Sequence, residues 1–187
     1  MTAKRQPHVR RVYLPPEDPE EESLAMSLLG LAAVFHLFDS PLQISRPYES
    51  YMGCLTVPRR VVEEWQREGL IESLPETRDV RPFLAETSVY VLPSYHEGMP
   101  RTVLEAMSMG RPIITTDASG CRETVIEGRN GYIVPVKDSR ALSEAMERFL
   151  IDPPLISAMG RQSRLVAEER FDVRKVNSVI LSRLGIP

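Results

Sequence analysis

The segment from Ser88 to Glu123, SVYVLPSYHEGMPRTVLEAMSMGRPIITTDASGCRE, constrains the fold more than any other part of the chain. It holds two short runs rich in β-branched and aromatic residues, Ser88 to Leu92 and Ile113 to Thr116. The first stops at Pro93; the second follows Arg111-Pro112 and stops at Asp117, so each has the length and boundaries of a strand. Between them Gly98 frees the loop to turn, Pro100 suits a first helical position because it has no N–H to leave unpaired, and Gly110 is a helix stop. The spacing predicts a helix from about Pro100 to Met109, and with it two parallel strands joined by that helix. At about 100° per residue, Val103, Leu104, Ala106 and Met107 share one side, and Arg101, Thr102, Glu105 and Ser108 share the other.

Glu105 therefore sits on the polar side of the helix, and Glu97 lies just before it. The N–H groups of the first helical turn, with their partial positive charge, fall between two carboxylates at the carboxyl end of a parallel strand. Anions bind at such helix starts, and open α/β sheets hold ligands there. Amides suit phosphate, and a carboxylate accepts from the vicinal diol of a ribose or sugar ring, so a nucleoside diphosphate attached to a sugar fits the chemistry. The plain alternative is a βαβ unit whose glutamates are merely solvated.

The run Leu92-Pro93-Ser94-Tyr95-His96-Glu97-Gly98-Met99-Pro100, followed by Leu104-Glu105-Ala106-Met107, Gly110-Arg111-Pro112, Thr116-Asp117, Gly120 and Glu123, resembles the donor-site signature of retaining GT-B glycosyltransferases. In that family two glutamates are separated by seven residues, as Glu97 and Glu105 are. The similarity extends from about Trp65 to Phe171 and includes Asp79-Val80-Arg81-Pro82 and Asn130-Gly131; it is strongest to bacterial enzymes that extend lipid-linked or surface polysaccharides. The resemblance implies an α/β fold, a Rossmann-like parallel sheet flanked by helices that forms the C-terminal half of a GT-B enzyme. It implies that Glu97 contacts the donor sugar and stabilises charge at its anomeric carbon, and that Glu105 binds the ribose hydroxyls. Gly98, Met99, Pro100, Arg101 and Thr102 would line the sugar and diphosphate, and the region around Val80 to Leu84 would face the nucleobase. The reaction implied is retaining transfer of a sugar from a nucleoside-diphosphate sugar to a saccharide or lipid-linked hydroxyl, in surface polysaccharide synthesis. The donor is a substrate; no cofactor is implied.

The chain departs from that family in one respect. The family pattern opens the donor domain with a strand and a loop carrying an Arg and a Lys-Gly pair that grip the diphosphate, and no such stretch is recognisable. Lys4, Arg5, Arg10 and Arg11 have the wrong surroundings, and Arg59 and Arg60 precede a helix without a strand before them. A complete GT-B enzyme also has an N-terminal acceptor domain, and its last helix packs back onto that domain. Two readings follow: the donor half of a glycosyltransferase that works with a separate N-terminal acceptor-domain chain, or a non-catalytic remnant that binds nucleotide-sugars.

The 187 residues allow one ordinary domain with an extension, and we divide them into an atypical N-terminal extension or degenerate domain start, 1–57, and a nucleotide-sugar-binding domain, 58–187. The chain opens on a basic block, MTAKRQPHVRR, and an acidic one, PPEDPEEE, with RVYL between as a candidate edge strand. Leu24 to Phe38 is apolar over a stretch too short for an ordinary membrane span, and the acid block before it is wrong for a signal peptide, so a buried or interfacial helix is expected. Ser40 to Pro58 reads as loop around a strand at Leu42 to Ile44. Then come a helix from Arg59 to Glu68, a strand from Leu70 to Leu74, and a helix capped by Asp79. Beyond the central segment, a short helix spans Gly120 to Ile126, a strand Tyr132 to Val134, and helices start at Asp138, Asp152-Pro153 and Asp172. The last carries an apolar stripe, Val173, Val176, Val179, Ile180 and Leu184, before Gly185.

A net charge of −3 gives no basic surface for nucleic acid. Cys54 and Cys121 have no metal-ligand spacing, no His, Cys and carboxylate cluster predicts a metal, and reduced thiols in the cytoplasm are the default, with peripheral contact at the inner membrane face implied by the resemblance. Cys121 stands at a helix start, which can lower a thiol pKa, although packing near the donor loop is the plainer role. His96 beside Glu97 is a further catalytic candidate at a position that varies in the family; His8 and His36 are read as a terminal and a packing residue.

Overall fold

The computed structural model describes residues 33–35, 42–44, 59–69, 71–73 and 78–185. They form one six-stranded sheet with helices on both faces, which bears out the α/β fold expected from the sequence. The strands are β1 (Ala33–Phe35), β2 (Leu42–Ile44), β3 (Ile71–Ser73), β4 (Val89–Leu92), β5 (Ile113–Thr116) and β6 (Gly131–Val134), in the spatial order β3-β2-β1-β4-β5-β6. The helices are α1 (Arg59–Arg67), α2 (Arg81–Glu86), α3 (Arg101–Ser108), α4 (Ser139–Ile151), α5 (Pro154–Arg170) and α6 (Val173–Leu184).

Strands β4, β5 and β6 run parallel, with Tyr90 opposite Ile113 and Ile113 opposite Gly131. Strands β2 and β3 are parallel too, but β1 is antiparallel to both its neighbours, β2 and β4. The connection from β1 to β2 is short, and a short connection joins antiparallel neighbours, whereas parallel ones need a crossover. This β1 also corrects the helix expected over Leu24 to Phe38: Ala33–Phe35 is strand, because its partners are the backbone groups of β2 and β4. An apolar run that short cannot be assigned by periodicity alone. The rest of that run, the terminal charge blocks, RVYL, His8, His36 and Cys54 lie outside the described residues.

The pleat distributes the core over both faces of the sheet. Val89 and Val91 of β4 pack with Ile114, Tyr132, Val134 and the α4 stripe Leu142, Ala145, Met146 and Phe149. Tyr90 and Leu92 point the other way, toward Leu84 of α2, Val103, Ala106 and Met107 of α3, and Ile113. Residues that alternate along a strand thus reach opposite layers, as period two requires. Helix α5 serves both layers, with Leu155, Ile156 and Met159 in the first and Val166 and Ala167 in the second. Gly160, which lowers helix propensity, is needed where α5 passes α3: a Cβ there would lie 2.2 Å from the carbonyl oxygen of Gly110.

The caps follow the sequence. Asp138 accepts from the Ala141 N–H at 2.8 Å to start α4, Asp172 accepts from the Arg174 N–H at 2.9 Å to start α6, and Gly185 ends α6 at φ 68°. Asp79 stands one residue further out than expected: Val80 is the N-cap of α2, and Asp79 accepts from the Arg81 N–H at 3.1 Å and from its guanidinium at 2.8 Å. Between Gly120 and Ile126 the chain makes a 3₁₀ turn, Arg122–Thr124, in place of the short α-helix expected. Helix α6 buries none of its residues, and Val173, Val179 and Leu184 are 65%, 55% and 66% exposed. No helix among the described residues is long and apolar enough to cross a membrane.

Phe149 is fully buried and meets Tyr132 at 5.4 Å between ring centroids. Phe149→Ala should lower the unfolding free energy by about 3–5 kcal/mol, and Asp138→Ala by about 1 kcal/mol. Urea denaturation followed by circular dichroism measures both, and a Phe149→Ala loss no larger than the Asp138→Ala loss would contradict this packing.

Candidate functional site

The carboxyl ends of β4, β5 and β6 lead into loops 93–100, 117–121 and 135–138, and the first two lie against each other. The Glu97 N–H donates to the Ser119 carbonyl at 3.0 Å. The Thr115 hydroxyl donates to the Leu92 carbonyl at 2.8 Å, and the Thr116 hydroxyl donates to the Ser94 carbonyl, which ties the start of loop 93–100 to β5. Gly120 closes the contact: its φ is +82°, and a Cβ there would lie 2.3 Å from the carbonyl oxygen of Glu97 and 2.5 Å from that of Gly98. Only a residue without a side chain lets the two loops approach this closely.

Loop 93–100 delivers the chain into α3. Pro100 is the N-cap, extended at ψ 105°, one position earlier than the sequence suggested, and no side chain caps the helix. No acid stands in its first turn. Among the described residues no side chain caps the N–H groups of Arg101 and Thr102 at the positive end of the helix dipole. The orientation follows from the apolar side of α3: Val103, Ala106 and Met107 are fully buried and Leu104 is half-buried, which turns Arg101, Thr102 and Ser108 to solvent and leaves Glu105 half-buried.

Both glutamates flank this helix start. Glu97 is half-buried and accepts from the Ser94 hydroxyl at 2.6 Å, so the serine three residues earlier fixes its carboxylate. Glu105 is approached by the Arg101 guanidinium at 4.0 Å, on a side chain 90% exposed. A pair so open to water contributes little. Beneath them Tyr90 of β4 is buried, and among the described residues its phenol meets no partner in hydrogen-bond geometry. Burial pushes that phenol well above its usual pKa, and the negative charges of Glu105 and then Glu97 push it further; the nearby Thr102 hydroxyl opposes the shift. The same phenol is thus acted on by the charges of both carboxylates.

Beside Glu105 an open cleft of about 410 Å³ lies between α2 and α3, lined by Arg78, Asp79, Val80, Arg81, Leu84, Glu105, Ser108 and Met109. The volume falls in the range of small-ligand pockets. Gly98 and Met99 are exposed at the turn of the loop, as is His96. Across the loop, Arg122 pairs with Asp117 at 2.8 Å. Arg59 and Arg60 begin α1, whose neighbour in the sheet is β3 at the far edge from α3. Among the described residues no group of three His, Cys, Asp or Glu could hold a metal ion.

Two features escaped the sequence. Tyr90 reads there as one more aromatic in a strand, and only its neighbours show that its hydroxyl reaches the polar side of α3. Ser94 could have been found: a hydroxyl three residues before a loop carboxylate is within reach of it. Cys121 corrects the suggestion of a lowered thiol pKa. It is fully buried, and burial pushes its pKa up, with the Glu97 charge adding to the shift.

Gly120→Ala should separate the two loops, shifting the amide resonances of residues 94–100 and costing about 1–3 kcal/mol; unchanged loop resonances would refute the contact. In a Cys54→Ser background, Cys121 should react with a thiol reagent at neutral pH only as the chain unfolds, so that the rate climbs with urea. Fast labelling in buffer alone would show that the thiol is not enclosed.

The chain matches the family Glycosyl transferases group 1 over residues 56–152. It is 33% identical over 89 residues to the capsular polysaccharide biosynthesis glycosyltransferase CapM of Staphylococcus aureus, covering 48% of this chain and 23% of that one. In structure it is similar to sucrose-phosphate synthase of Thermosynechococcus elongatus, with a TM-score of 0.66 and 22% identity over 88% of this chain and 41% of that one. It is also similar to Anabaena Alr3699/HepE in complex with UDP, with a TM-score of 0.62 and 23% identity over 69% of this chain and 36% of that one. The chain spans about a third or less of the length of the curated relatives it matches. With more than half of its residues inside the family match, from α1 through the signature loop to the end of α4, this chain belongs to the group 1 glycosyltransferases.

Proposed function

We propose that the chain is the donor-binding part of a glycosyltransferase, one that moves a sugar from a nucleoside diphosphate to a hydroxyl of a saccharide or lipid-linked acceptor, with retention, in surface polysaccharide synthesis. The observation that carries this is the uncapped start of α3 between Glu97 and Glu105, at the carboxyl edge of parallel strands. The diphosphate takes the N–H groups of Arg101 and Thr102, with Gly98, Met99 and Pro100 lining the sugar. Glu105 accepts from the ribose diol, and the base enters the cleft between α2 and α3, where Arg78 and Leu84 lie. Support comes from the UDP bound to Alr3699/HepE and from the polysaccharide role in the name of CapM.

In the reaction the bond from the anomeric carbon to the diphosphate oxygen breaks, and a bond from that carbon to the acceptor oxygen forms on the same face. Negative charge gathers on the departing diphosphate, where amides and helix dipole are already oriented to meet it. Positive charge gathers at the anomeric carbon, and the Glu97 carboxylate, held by Ser94, stabilises it. The acceptor proton passes to the leaving diphosphate, which balances the step. The acceptor comes from a separate N-terminal domain, and the exposed aliphatic stripe of α6 is the face such a domain covers. Residues 58–187 are the donor domain in this reading, with 1–57 its extension. The reaction belongs in the cytoplasm, at the inner face of the membrane.

Titration calorimetry with UDP and GDP tests the binding. One of them should bind, and Glu105→Ala should weaken it roughly tenfold to a hundredfold, as loss of a charge-assisted hydrogen bond predicts. Glu97→Ala should leave the diphosphate bound while abolishing hydrolysis or transfer from the matching nucleotide-sugar. Failure of both nucleotides to bind at millimolar concentration would sink the reading, and binding without turnover in the presence of an N-terminal domain would mark a non-catalytic module instead.

A further inference from the structure

Among the described residues, four side chains carry a buried polar atom without a partner in hydrogen-bond geometry: Tyr90, Arg111, Ser139 and Ser163. Tyr90 differs from the others in where it sits. It lies on β4 beneath the first two turns of α3, 3% exposed, with its ring among Leu84, Val103, Ala106 and Met107. Among the described residues its hydroxyl meets no partner in hydrogen-bond geometry; Thr102 stands close to it, and the charges of Glu105 and Glu97 act on it. A buried O–H with nothing to donate to has lost its water and received nothing in return, a state proteins rarely leave unmet. Glu105 is the complementary case: its carboxylate has several acceptor sites and, among the described residues, the long contact to Arg101 alone. Glu97 already has Ser94.

We propose that Tyr90 is a positioning residue for Glu105: when a nucleotide occupies the cleft, the phenol O–H donates to one Glu105 oxygen and leaves the other to accept from the ribose diol. The proposal rests on the reading of Glu105 as the ribose-binding carboxylate. The pairing requires the Glu105 side chain to turn toward the phenol, while the core around the ring keeps Tyr90 in place as the fixed partner. Because burial keeps the phenol protonated, the donor is present throughout the neutral range. Binding of the diol and pairing with Tyr90 then favour each other, since both need the same carboxylate rotamer.

The test uses the full chain, with Tyr90→Phe, Glu105→Ala and the double variant, titrated with UDP and GDP and with the 2′,3′-dideoxy form of whichever binds. Tyr90→Phe removes an unsatisfied hydroxyl and keeps the ring, so its Tm should equal or exceed that of the wild type. Its affinity for the nucleotide should nevertheless fall roughly five- to tenfold. The dideoxy analogue, which has no diol for Glu105, should bind wild type and Tyr90→Phe alike, and the double variant should bind as Glu105→Ala does. Wild-type affinity in Tyr90→Phe would overturn the proposal and leave the nucleotide reading intact. An equal loss with the dideoxy analogue, or in the Glu105→Ala background, would also overturn it by showing that Tyr90 acts on the ligand or fold independently of Glu105. A wild-type chain that binds neither nucleotide removes the nucleotide reading, and this inference with it.

Discussion

The candidate site depends on the burial of one side of a two-turn helix. Val103, Ala106 and Met107 pack into the layer formed by β4, β5 and α5, and this packing fixes how α3 is rotated about its axis and how far its start projects beyond the sheet. A helix this short is marginal alone. Its orientation is therefore a property of the core, and Glu105, Arg101 and Thr102 inherit their places from it. Gly120 holds the other half of the arrangement, because loop 93–100 reaches α3 only by lying against the turn that follows β5.

Much of this was legible in the residues. The bounds of β4, α3 and β5 came within a residue or two of prediction because Pro93, Pro100, Gly110 and Pro112 punctuate them and because each helical or strand period is unbroken between. Asp138 and Asp172 announced their helices for a local reason, a carboxylate facing the N–H groups two or three residues on. What the sequence hid was set by distant partners. Ala33–Phe35 lies inside an apolar run that suits a helix equally well, and pairing with β2 and β4 decided otherwise. The phenol of Tyr90 was hidden for the same reason, since its surroundings come from α2 and α3 and from no neighbour in the chain.

The two carboxylates differ in how tightly they are held. Glu97 is fixed by Ser94 and by the backbone of the loop beneath it. Glu105 meets an exposed arginine at 4.0 Å and borders the open cleft. The site thus sets one carboxylate on a loop locked from both sides beside another on a helix face open to the cleft.

The antiparallel β1 carries a consequence for how the chain assembles. Strands β4, β5 and β6 and the helices after them join through neighbours that lie close in sequence, whereas β1 must find β4 across a long intervening stretch. Loop-closure entropy rises with that separation, and pairings of this kind lag behind local ones. The pairing of β1 with β4 is therefore the late step, so that the chain completes its sheet by joining two parts, β4-β5-β6 and the β1-β2 pair, each built from contacts nearer in sequence.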